Sequence, residues 1–132
     1  MNEGCTILLL EDEPLILMDL EFAAQDSGCR CLTATRVDQA LAHLERADPL
    51  PNVAVLDVTL QEGETCLPVA RELERRGIPY ILHSGDLDRQ NEKVRELQAE
   101  LLAKPASSDR VIAAAMRCMR DPPQGPRRSA CG

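Results

Sequence analysis

The chain opens on an unbroken apolar run, Thr6 to Leu10, that stops abruptly on three acids, Glu11, Asp12 and Glu13. A second run, Val53 to Leu56, stops in the same way on Asp57. Runs without polar alternation predict strands covered on both faces, as in a parallel sheet flanked by helices. Cys29 to Ala34, Ile78 to His83 and a short stretch at Leu101 to Ala103 complete the expected strands. Between them the apolar spacing lengthens to that of helices. Leu15, Ile16, Met18, Leu20, Phe22 and Ala23 predict a helix with a broad apolar face, started by Pro14 in its first turn and closed by Ser27 and Gly28 as a left-handed cap. Thr35 is the expected N-cap of a second helix, with Asp38 completing a capping box and Val37, Ala40, Leu41 and Leu44 forming the buried stripe.

Leu67, Val69, Ala70 and Leu73 mark a third helix ended by Gly77, and Ser107 or Ser108 caps a last one carrying Val111, Ile112, Ala115, Met116 and Met119. Asp86 to Gln98 has only Leu87, Val94 and Leu97 as large apolar residues, so it predicts a weak helix that gains little from burial. From Asp121 onward the composition cannot build a core. Residues 1–120 are therefore the expected domain and 121–132 a disordered tail.

Strand and helix alternate five times, and right-handed crossovers turn a (βα)5 chain into a doubly wound α/β fold with a five-stranded parallel sheet. The flavodoxin-like strand order 2-1-3-4-5 is the economical arrangement. It sets the first and third strands side by side at the switch point and brings Glu11 and Asp12 next to Asp57.

Composition narrows the possible partners. At 132 residues and a net charge of −7 the chain is one acidic domain, poorly suited to direct contact with nucleic acid, which needs a basic patch. No apolar stretch approaches the roughly 20 residues that span a bilayer, and the N-terminus lacks the basic start of a signal peptide, so a cytoplasmic location without membrane insertion is expected. The six cysteines are scattered without a CxxC pair, and a reducing compartment would keep them as thiols. Cys29 and Cys31 sit two apart on one strand face and predict packing rather than a bond. Together with the dispersed His43 and His83, the cysteines have no structural zinc spacing.

Carboxylates gathered at one sheet edge repel each other by about 1 kcal/mol per close pair in water and by several in a lower dielectric. A hard divalent cation offsets that repulsion, and Mg²⁺ takes one or two carboxylates together with water and phosphate oxygens. A carboxylate is also a nucleophile toward phosphorus, giving an aspartyl phosphate. Such chemistry needs a metal, a cation for an equatorial oxygen and hydrogen-bond donors. Lys104 is the candidate cation, Ser84 the candidate hydroxyl, and the backbone N–H groups around Val58, Thr59 and Gly85 complete a cradle. Pro105 offers a cis bond after Lys104.

The segments ILLLEDEPLI, VAVLDVTL, YILHSG and LLAKP together resemble the response-regulator receiver domain of two-component signalling, across residues 5–120. That resemblance implies Glu11 and Asp12 as the metal-binding pair, Asp57 as phosphoacceptor and a further metal ligand, Ser84 as switch hydroxyl and Lys104 as the phosphate-pairing lysine. It adds the Thr59 main-chain carbonyl to the ligands of Mg²⁺ or Mn²⁺. The partners it implies are a histidine kinase or histidine phosphotransfer protein upstream and a protein target downstream. The expected protein is not an enzyme beyond self-catalysed phosphorylation and dephosphorylation. No DNA-binding or catalytic module follows residue 120, as in stand-alone receivers or a receiver fragment. The output face expected is that of the weak helix, the fifth strand and the last helix.

Three positions depart from the family pattern. Gln61 stands where receivers commonly have proline, Leu101 replaces an aromatic switch residue, and Ala106 stands where an aromatic often follows the lysine-proline pair. Coupling of the hydroxyl to an aromatic is therefore not the expected output mechanism. Two other classes compete: a phosphorylation-independent, receiver-like binding module, and a metal-dependent phosphatase. The phosphatase needs a general acid two residues after its nucleophile, where this chain has Thr59.

Overall fold

The computed structural model describes residues 5–58, 60, 63–85, 97 and 99–120. Strands β1 (Thr6–Leu10), β2 (Arg30–Ala34), β3 (Val53–Asp57), β4 (Tyr80–Ser84) and β5 (Leu101–Ala103) alternate with helices α1 (Pro14–Asp26), α2 (Val37–Arg46), α3 (Leu67–Arg76) and, after β5, α4 (Ser108–Arg120). The strands form one sheet, ordered β2-β1-β3-β4-β5, with every pairing parallel. This is the expected flavodoxin-like α/β arrangement. The expected weak helix at 86–98, apart from Leu97, and the expected tail at 121–132 lie outside the described residues.

The missing polar alternation has a direct cause. Ile7 and Leu9 of β1 face a core shared with α1 and α4, whereas Leu8 and Leu10 face a second core shared with α2 and α3. Every side chain of β1 is thus removed from water, each large one contributing roughly 1.5 to 3 kcal/mol. Asn52 fixes where β3 begins against β1. Its N–H donates to the Thr6 carbonyl at 2.8 Å, and its side-chain oxygen accepts from the Thr6 N–H at 2.8 Å. Leu10 then pairs with Leu56, so the next residues along, Glu11 just past β1 and Asp57 at the end of β3, arrive side by side.

Several local expectations are corrected. The buried face of α1 consists of Leu20, Ala23 and Ala24 with Ile16 and Leu17 partly covered, while Leu15 is 72% and Phe22 61% exposed. The second helix starts at Val37 after Arg36, and Thr35 pairs through its N–H and hydroxyl with the Gln39 side chain instead of capping. Asp38 pairs with Arg36. Gly77 does close α3 in the left-handed region at φ 74°, and the Ser107 hydroxyl caps α4 by accepting from the Arg110 N–H. The fourth strand begins at Tyr80 and includes Ser84.

The cysteines also differ from expectation. Cys5 and Cys29 form a disulfide with their Cα atoms 4.7 Å apart. The sheet brings them together: the Arg30 N–H donates to the Cys5 carbonyl, and the Cys29 N–H donates to the Ala24 carbonyl at the end of α1. Cys31, Cys66 and Cys118 remain thiols.

Candidate metal and phosphoryl site

The carboxyl ends of four strands supply the site. The Glu11 N–H continues the sheet by donating to the Ala34 carbonyl at 3.0 Å, which holds the residue at the end of β1. Its carboxylate is buried, and Oε2 accepts from Lys104 Nζ and from the Glu13 N–H, both at 3.2 Å. Asp57 at the end of β3 is also buried, with Oδ2 3.5 Å from the same ammonium. Asp12 is half-buried beside them. Carboxylate oxygens of Glu11, Asp12 and Asp57 lie within 4.8 Å of one another.

Lys104 reaches this cluster from the end of β5, where its N–H donates to the Ser84 carbonyl at 2.9 Å and its bond to Pro105 is cis. Its stem lies where a Cβ added at Gly85 would meet it at an ordinary packing distance, 3.6 Å. Ser84 is buried at the end of β4. Val58, directly after Asp57, is held on both sides: its N–H donates to the His83 carbonyl at 3.3 Å, and its carbonyl accepts from the Cys66 N–H at 3.1 Å. The structure thus brings together Glu11, Asp12, Asp57 and Lys104, with Ser84 at the neighbouring strand end. Thr59 and Gln61 lie outside the described residues.

The electrostatics follow from burial. Removal from water, then the Glu11 charge, pushes the Asp57 carboxyl up to about 8 against the opposing pull of Lys104. Burial works against the Lys104 ammonium, but Asp57 and Glu11 outweigh it and hold its pKa above the ordinary lysine value. One ammonium balances only part of three acids. Glu11 Oε1 is buried with no hydrogen-bond partner among the described residues, an orphaned acceptor that a cation ligand shell would satisfy. The donor set, all carboxylate oxygens, suits a hard divalent ion such as Mg²⁺.

One residue escaped the sequence reading. His83 of β4 is level with Asp57 of β3 and buried at 3% exposure, with both ring nitrogens unpartnered among the described residues. Within YILHSG nothing marks it as more than a strand residue. Leu101, at the family's aromatic position, is 44% exposed.

Comparison with known proteins places this geometry among relatives. No protein-family model matches the chain. It is 29% identical over 100 residues to the phyllosphere-induced regulator PhyR of Methylorubrum extorquens, covering 75% of this chain and 38% of that protein. It is 26% identical over 113 residues to the two-component response regulator PprB of Pseudomonas aeruginosa, covering 81% and 41%. The chain therefore spans about two-fifths of the length of these curated relatives. The solution structure of SdrG from Sphingomonas melonis Fr1 shares 34% identity at a TM-score of 0.72, covering 91% of this chain and 99% of that one. Solved response-regulator receivers at 20% and 24% identity share the fold, with TM-scores of 0.71 and 0.76.

Proposed function

Because the chain belongs to the response-regulator receiver domains, we propose that it is a phosphoacceptor switch. In this reading Asp57 takes a phosphoryl group from a histidine kinase or histidine phosphotransfer protein. The single observation that carries the reading is the convergence of Glu11, Asp12 and Asp57 around the Lys104 ammonium at the sheet edge. An Asp57 carboxylate oxygen attacks phosphorus, the bond from phosphorus to the donor's imidazole nitrogen breaks, and its electron pair returns to that nitrogen, which takes up a proton. Lys104 exchanges its contact with the Asp57 carboxylate for a phosphoryl oxygen. Ser84 supplies a hydroxyl donor from the next strand.

Glu11, Asp12 and Asp57 are the side chains that would hold Mg²⁺ or Mn²⁺. When bound, the ion neutralises charge on the transferring phosphoryl oxygens. Turnover is limited to the protein's own phosphorylation and dephosphorylation, so the domain acts as a switch rather than an enzyme. A nucleotide-fuelled donor places the reaction in the cytoplasm, and no described helix is long and apolar enough to cross a membrane.

Output runs through protein contacts. Leu15, Met18 and Phe22 expose an apolar row along α1, the helix that begins two residues after Asp12. Such a row suits a partner helix better than nucleic acid. The β5 and α4 side, where Leu101 is exposed, is the proposed face toward a downstream target.

The test is intact-protein mass after incubation with Mg²⁺ and a small phosphodonor, comparing the native chain with Asp57→Asn. A gain of one phosphoryl group that requires both Mg²⁺ and Asp57 is the expected result. No gain in folded protein, with a donor kinase also failing to label it, would favour the phosphorylation-independent binding module.

A further inference from the structure

His83 lies on the strand next to the phosphoacceptor. The pairing of Asp57 with His83 places the two side chains on the same face of the sheet, with their backbones about 4.8 Å apart. His83 is buried, and the same face of the sheet carries Ile81, two residues back on its own strand, and Leu102, its register partner on β5, both in the core covered by α1 and α4. Neither ring nitrogen has a hydrogen-bond partner among the described residues. His43, the other histidine, has its Nε2 2.8 Å from the Thr33 carbonyl.

A buried imidazole without a partner is costly, and an alkyl side chain of similar volume would fill the same space without the penalty. Such a group needs a reason to be there. Burial and the neighbouring Lys104 charge keep the ring neutral, so it carries one N–H donor and one acceptor nitrogen. Phosphorylation of Asp57 changes what surrounds it. Three strongly accepting oxygens arrive at the pocket, while the donors placed from the described side chains are Lys104 and Ser84.

We propose that His83 is a reserve hydrogen-bond donor of this pocket, without a partner among the described residues at rest and engaged by the phosphoryl group once Asp57 carries it. This rests on the phosphoacceptor reading. His83 is then a positioning residue with a second consequence. It directly precedes Ser84, and its carbonyl accepts from the Val58 N–H. Engagement of the ring therefore pulls on the strand end that carries the switch hydroxyl and on the residue that follows Asp57. The chain has no aromatic at position 101 to follow Ser84, and the His83 ring, on the sheet face that α4 covers, supplies a different link from the site to that helix.

The test titrates the full chain, in Mg²⁺, with beryllofluoride, a phosphoryl stand-in that settles on a carboxylate. Two readouts run together: the ring ¹⁵N shifts of both histidines, and the affinity. The expected result is a change in the His83 ring nitrogens with His43 unmoved. Affinity should weaken about tenfold in His83→Leu, the effect of one hydrogen bond to a charged group, and recover most of that loss in His83→Asn, which keeps an N–H donor. An unchanged His83 ring on saturation, or His83→Leu binding within twofold of native, would overturn the proposal and leave the phosphoacceptor reading standing. If native protein binds no beryllofluoride and gains no phosphoryl mass, the phosphoacceptor reading itself fails.

Discussion

Asp57 carries two opposing demands, burial and ionisation, and its raised pKa makes that conflict measurable. A carboxyl raised to about 8 in the fold binds a proton that the unfolded chain has already lost, so its contribution is full below the ordinary carboxylate range and is lost as pH rises toward 8. His83 runs the other way. Its imidazole is lowered to about 4, first by burial and then by Lys104, so its contribution is full above the ordinary histidine range and is lost as pH falls toward 4. The two offset each other on the acid side, and between pH 6.5 and 8 Asp57 acts alone. Without Mg²⁺ the unfolding free energy should fall by about 1 to 2 kcal/mol across that window, and the fall should vanish in Asp57→Asn. Saturating Mg²⁺, which binds the ionised acids, should also flatten it. Parallel urea-derived profiles for the native chain and the mutant would show that Asp57 ionises normally. The positions of Glu11, Asp57, Ser84 and Lys104 at strand ends are legible in the sequence because each terminates an apolar run. The state of His83 is not, since residue type alone reveals neither burial nor the lack of a partner.

At the level of elements, the five strands are legible because burial on both faces leaves a continuous apolar run, whatever the tertiary detail. Helix α1 shows where that reasoning fails. Leu15, Ile16, Leu17, Met18, Leu20, Phe22, Ala23 and Ala24 surround the helix so fully that spacing cannot select the face that meets the sheet. Packing against β1 and α4 selects Leu20, Ala23 and Ala24, and leaves Leu15, Met18 and Phe22 in water. Two substitutions separate the readings. Leu20→Ala should lose about 2 to 5 kcal/mol of stability, because it opens a cavity in a closed core. Phe22→Ser should change stability by about 0.5 kcal/mol or less, as expected of an exposed position. Equal losses in chemical denaturation would restore the broad face expected from the sequence. The second helix fails for a related reason: Thr35 had two uses for its hydroxyl, and Gln39, four residues on, competes successfully for it.

For the whole molecule, the strand order is legible because alternating strands and helices with right-handed crossovers leave few topologies, and the order then decides which distant residues meet. It brings Glu11 to Asp57, and by the same logic it brings Cys5, just before β1, to Cys29, just before β2. Scattered spacing hides that second meeting, because only the built sheet places the two ends together. The backbone bonds from Arg30 to Cys5 and from Cys29 to Ala24 hold both ends whether or not the sulfurs are joined, so reduction should leave the fold and the acidic site unchanged. The effect of the bond belongs mainly to the unfolded chain, where it closes a span of 24 residues containing β1, α1 and the acids Glu11 and Asp12. Loop-closure entropy for such a span is worth about 3 kcal/mol. Reductant should therefore lower the urea midpoint of the native chain, and the denaturant slope should steepen as the unfolded chain expands. The Cys5→Ala, Cys29→Ala double mutant should match the reduced protein in both respects and ignore reductant, and the reduced native chain should accept a phosphoryl group as the oxidised one does. A midpoint and slope indifferent to reductant, with Cys5 and Cys29 open to alkylation in the unfolded, unreduced chain, would mean that the two thiols pack together without a bond.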